Sequence, residues 1–83
     1  MLSAATRRKA IEAGTWVRAN GEHVRIRVMG TEHLVNALLQ VLAAGESQAI
    51  WEPLAREVDR RRLRKYAIDV ARHRMGIDSH DRF

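Results

Sequence analysis

The chain has 83 residues, 46% of them hydrophobic, and carries 15 Lys and Arg against 10 Asp and Glu for a net charge of +5. That apolar content is too high for a disordered chain and enough for a globular core, though a thin one at this length. The absence of cysteine excludes a disulfide framework and a cysteine-based zinc site, and the basic excess favours acidic partners, nucleic acid first.

In chain order, residues 3–13 read as a short helix, with Ser3 as N-cap, Gly14 as stop and Arg7, Arg8 and Lys9 on exposed turns. A β-hairpin is expected over 15–28, because Asn20-Gly21 between alternating segments is the signature of a type I′ turn with positive φ at both central residues. That turn pairs Ala19 with Glu22, Arg18 with His23, Val17 with Val24, Trp16 with Arg25 and Thr15 with Ile26. Val17, Val24, Ile26 and Val28 would then face the core, and Trp16, Arg18, His23, Arg25 and Arg27 would share the outer face.

Gly30 breaks the strand, and Thr31 caps a helix expected over 32–44, with Glu32 in its first turn and Gly45 at its end. Only His33, Asn36 and Gln40 make a polar stripe, so this helix is expected to be central to the fold or part of an oligomer interface. A final helix is expected over 48–75, with Pro53 in a first turn that starts properly near Trp51. Its apolar positions step from Val58 to Leu63, a five-residue gap, so the helix either bends or breaks around Asp59 to Arg62. The expected fold is α+β: a two-stranded antiparallel hairpin packed on two or three helices, one domain over 1–76 with a flexible tail at 77–83.

Two constellations point to nucleic acid. Arg60, Arg61, Arg62, Arg64 and Lys65 put five basic residues in six, which on one helix suits contact along a phosphate backbone. The alternative is a solvated face with the charge pairs Glu57–Arg61 and Lys65–Asp69. The second constellation is the hairpin's outer face, where Trp16 opposite Arg25, flanked by Arg18 and Arg27, has the aromatic and basic character of a single-strand platform. Against it stand a simple Trp16–Arg25 stacking pair and burial of Trp16 under the first helix. Arginine, thirteen of the fifteen basic residues, suits phosphate recognition, but it also follows from a GC-rich genome, as twelve alanines suggest.

His23, His33, His73 and His80 lie on separate elements without metal-ligand spacing, and no nucleophile elbow or phosphate-binding loop is present. No enzyme activity, cofactor or metal is therefore expected. His33 is expected to hold a structural hydrogen bond to the hairpin or to Asn36. No run approaches a membrane span of roughly 18 apolar residues, and the segment from Met1 to Lys9 lacks signal-peptide organisation, so a cytoplasmic location is expected.

The residues Trp16-x-x-x-Asn20-Gly21, Val24-x-Ile26-x-Val28-Met29, His33-Leu34-x-Asn36-Ala37 and Leu54-x-x-Glu57-x-x-x-Arg61 together form a pattern over 16–62. This pattern resembles a group of small phage- and prophage-encoded proteins of unassigned function, which usually carry Asp-Gly at the turn. The resemblance implies an accessory protein acting in the cytoplasm of a bacterial host, on nucleic acid or on a host protein. Homodimerisation would add core to so small a chain and is expected under either reading.

Overall fold

The computed structural model describes residues 4–75; Ser3 and the tail at 77–83 lie outside the described residues. Helix α1 (Ala4–Glu12) leads into strands β1 (Thr15–Val17) and β2 (His23–Arg25), then a 3-10 turn (Ile26–Val28) and helices α2 (Thr31–Ala43), α3 (Gln48–Arg60) and α4 (Arg64–Met75). The strands form a two-stranded antiparallel sheet, so the α+β hairpin-and-helix architecture stands as expected. The centre of the core lies between α2 and α3, where Leu34, Val35, Val41, Ile50 and Leu54 are the largest fully buried side chains. Helix α2 is thus central to the fold.

The hairpin register differs from the expected one by a residue. Thr15 pairs with Arg25, Trp16 with Val24 and Val17 with His23. The loop is longer because Arg18 N–H donates to the Glu22 carbonyl at 2.8 Å, and Gly21 N–H donates back to Arg18 at 2.9 Å. Gly21 has φ +89°, whereas Asn20 keeps negative φ. This is a type I turn closed by a glycine bulge, and the Asn20 side chain helps by accepting the Glu22 N–H at 2.9 Å.

A one-residue slip exchanges faces. Trp16, expected on the outer face, is only 4% exposed and belongs to the core cluster, as does Ile26. Val17 is buried as well, and Arg18, His23, Arg25 and Arg27 are exposed as expected. Val28, expected in the core, is 70% exposed, because β2 ends at Arg25 and the 3-10 turn redirects the chain. Burying the indole, one of the largest apolar groups in the chain, outweighs the local preference of Asn-Gly for a two-residue turn.

Helix boundaries follow backbone capping. The N-cap of α2 is Gly30, with Thr31 already helical and no side-chain cap. At its other end Gly45 takes φ +72°, and Glu46 N–H donates to the Val41 carbonyl at 3.1 Å. Helix α3 begins at Gln48, so Pro53 falls inside it rather than in its first turn. The helix expected over 48–75 is two helices. Arg62 adopts φ +59°, with Arg62 N–H bonded to Asp59 at 2.9 Å and Leu63 N–H to Val58 at 2.9 Å. That bond pattern is a Schellman stop, and it returns Leu63 to the core surface.

Candidate nucleic-acid interface

The break between α3 and α4 divides the basic run, and most of its charges are engaged. Glu57, only 6% exposed, accepts Arg60 Nε at 3.0 Å, Arg60 Nη2 at 2.6 Å and Arg61 Nε at 2.7 Å. The Arg60 hydrogen bonds, assisted by Arg61, hold its carboxyl down to a pKa of about 2 despite the opposing effect of burial. Arg64 forms a bidentate pair with Asp59 at 3.1 and 3.0 Å, on the exposed surface. Arg62 and Lys65 are exposed and form no ion pair among the described residues.

Arg61 has a different task from its neighbours. Its Nη1 donates to the Met29 carbonyl at 2.7 Å, and its Nη2 donates to Ile26 at 3.2 Å and Arg27 at 3.0 Å. The Ile26 carbonyl already accepts the Met29 N–H within the 3-10 turn, and the guanidinium adds a second donor there and supplies donors to the Arg27 and Met29 carbonyls. With Nε on Glu57, the side chain bonds through all three nitrogens inside the fold. It is a clamp between α3 and the turn.

The clamp brings together two groups that are remote in sequence. Arg25 ends β2 and Arg27 lies in the turn; Arg56 and Arg60 lie on the last turns of α3. Arg25, Arg27, Arg56 and Glu57, with Gly14, Ile26 and Pro53, line a shallow concavity of about 440 Å³. Arg25 and Arg27 are exposed, and Arg56, 75% exposed, meets Glu52 only at 3.3 Å. The result is an arginine-rich surface with two partly offsetting glutamates. Arg56 escaped the sequence reading because it stands outside the basic run. Its four-residue spacing from Arg60, away from the Ile50–Leu54–Val58 stripe, is the signal that could have found it.

Two expected contributors lie elsewhere. Trp16 is covered by α1, with the Arg7 guanidinium 5.3 Å from its ring centroid and Arg7 also bonded to Glu46 at 3.0 Å. No exposed Trp16–Arg25 platform exists. Arg18 pairs with Glu22 at 3.1 Å across the hairpin loop, and that bond holds the Glu22 carboxyl below its usual range. His33 lines a separate cavity of about 580 Å³ with Arg7, Arg18 and Gln40. The bond expected for its ring is not made: Asn36 accepts Arg74 instead, and nothing among the described residues bonds His33.

Among the described residues no three His, Cys, Asp or Glu side chains cluster to hold a metal ion, and no helix is long and apolar enough to cross a membrane. The chain matches no protein-family profile, no curated protein and no solved structure.

Proposed function

We propose that this chain is a small basic accessory protein that binds nucleic acid by phosphate contact through Arg25, Arg27, Arg56 and Arg60. The observation that carries the reading is the Arg61 clamp, which fixes the arginine-bearing turn against the arginine-bearing end of α3. A turn whose backbone is already held in place has less left to order on meeting a phosphate than a mobile loop, and the planar forks of its arginines suit phosphate oxygens. The net charge of +5 supports the same partner at longer range. The proposed contact is with the phosphate backbone, which positions a protein on nucleic acid without itself reading sequence. The resemblance of residues 16–62 to small phage-encoded proteins fits such a role in a bacterial cytoplasm.

Fluorescence anisotropy with labelled single- and double-stranded DNA and RNA across a salt series tests this. The triple variant R25A/R27A/R56A is expected to weaken binding and to reduce the slope of log affinity against log salt by about 2 to 3, close to one phosphate per arginine. The three side chains are exposed, so the thermal transition should stay in place. An unchanged slope in the triple variant overturns the assignment of this face.

A further inference from the structure

Helix α4 covers the α2–α3 layer incompletely. Among its described side chains only Ala67 is buried, and Ile68 is 46% exposed. Between α2 and α4 runs an apolar furrow. One stretch, about 450 Å³, has Leu38, Trp51, Ala55 and Ile68 in its walls and floor; the next, about 410 Å³, reaches Ala43 and Arg74. Leu39, Leu42 and Ala71 line both stretches, so the furrow is continuous. Leu42 on α2 and Ile68 on α4 stand on opposite walls, and both remain close to half exposed at 45% and 46%. Nothing in the folding of the chain requires a large aliphatic side chain at either position.

The rim of this furrow is basic. Lys65 and Arg72 lie three residues before and four residues after Ile68, which places them beside it on the outer edge of α4. Arg74 closes one end, bonded to the neutral Asn36, and Arg64 stands at the other, bonded to Asp59.

We propose that this furrow docks an acidic amphipathic helix of another protein. Apolar residues spaced i, i+3, i+4 and i+7 would sit between Leu42 and Ile68, and flanking carboxylates would meet Lys65, Arg72 and Arg74. A second copy of this chain is the wrong complement. The sole acidic residue of α2 is Glu32 and that of α4 is Asp69, so a two-fold contact would set Lys65, Arg72 and Arg74 near their own counterparts. Phosphate finds no partner on aliphatic walls. The proposal uses a face made by α2 and α4, distinct from the arginine surface on α3 and the 3-10 turn.

The test titrates the full chain with a fluorescein-labelled synthetic helical peptide carrying leucines at that spacing and glutamates elsewhere, beside a twin with lysines in place of the glutamates. The acidic peptide is expected to bind and its lysine twin to fail. Leu42→Asp, Ile68→Asp and the pair Lys65→Glu/Arg72→Glu are each expected to weaken binding by about tenfold or more. All four positions are exposed, so circular dichroism should report an intact fold, and Leu42→Asp should leave nucleic-acid affinity unchanged. No binding of the acidic peptide, equal binding of the twins, displacement of the peptide by single-stranded DNA, or unchanged affinity in Leu42→Asp overturns the proposal. Sedimentation showing a wild-type dimer that Leu42→Asp dissociates would assign the furrow to a second copy and overturn it equally.

Discussion

Arg61 on α3 donates from Nη1 to the carbonyl of Met29 at 2.7 Å, joining residues 32 positions apart. Its Nε holds Glu57 at 2.7 Å, so a single guanidinium ties the buried carboxylate to the backbone after the hairpin. The bonds use the planar fork of arginine, which an ammonium group cannot reproduce. Arg61→Lys is therefore expected to lower the unfolding free energy by about 2–3 kcal/mol, because carbonyls of the turn lose their donor. Arg62→Lys, on an exposed neighbour, should fall within about 0.5 kcal/mol of the parent. Urea denaturation of the two variants side by side checks this, and equal midpoints would remove the clamp from the account.

Arg60 and Arg61, the two donors to Glu57, give stability a defined dependence on acid. Glu57 has its pKa lowered from 4.5 to about 2, with the Arg60 hydrogen bonds as the largest cause. Above pH 4.5 the group is ionised in folded and unfolded chains alike, and its contribution is fully present. Between pH 4.5 and about 2 the unfolded chain takes up the proton first, so this contribution falls with pH and is gone below the folded pKa. Glu57→Gln should be less stable than the parent at neutral pH and lose less over that acid interval. Thermal melts across it give the comparison. Parallel curves would mean that another carboxylate carries the acid sensitivity.

Arg62 terminates α3 at φ +59°, a conformation that glycine adopts without a Cβ penalty. Its side chain is exposed and makes no ion pair among the described residues, so its replacement removes no contact there. Arg62→Gly is expected to stabilise the protein by about 0.5–1 kcal/mol, the relief at the left-handed position exceeding the added freedom of the unfolded chain. For a chain of this size about 1 kcal/mol corresponds to several degrees in the thermal midpoint. A lower midpoint would show that the Arg62 side chain has a stabilising role that its exposure hides.

These particulars divide what the sequence could and could not reveal. Gly45 ends α2 as expected, because a glycine after an apolar helix is a local signal. Asn20-Gly21 likewise marked the turn. Yet the dipeptide is compatible with a two-residue loop and with the three-residue loop observed, and the local sequence does not choose. The choice falls to packing, since only the observed register brings Trp16 opposite Val24 and into the core. The break in the last helix was visible as the five-residue step from Val58 to Leu63, but no glycine stood there to locate its stop. Arg61 was legible as part of a basic run and as a four-residue partner of Glu57. Its bonds to Ile26, Arg27 and Met29 join segments more than thirty residues apart, beyond any local pattern.

The burial of Trp16 makes the last prediction, and it separates phosphate contact from base stacking. Trp16 lines the cavity it shares with Arg7, Arg18 and His33, but at 4% exposure, with the Arg7 guanidinium over its ring, the indole offers too little surface for a base to stack on. Trp51 is half-buried along the furrow, so Trp51→Phe leaves Trp16 as the sole tryptophan, excited selectively over Tyr66 at the red edge, without opening the hairpin core. In that variant the emission should lie toward the blue and resist iodide quenching, and single-stranded DNA should leave its intensity unchanged. Trp16→Ala is expected to cost about 3–5 kcal/mol, a large part of the stability of so small a domain, so Trp16→Phe is the variant to carry into binding assays. It should keep the affinity for DNA. A tenfold loss with the fold intact would mean that the ring leaves the core to meet a base, and the arginine face would then be half of the site rather than the whole.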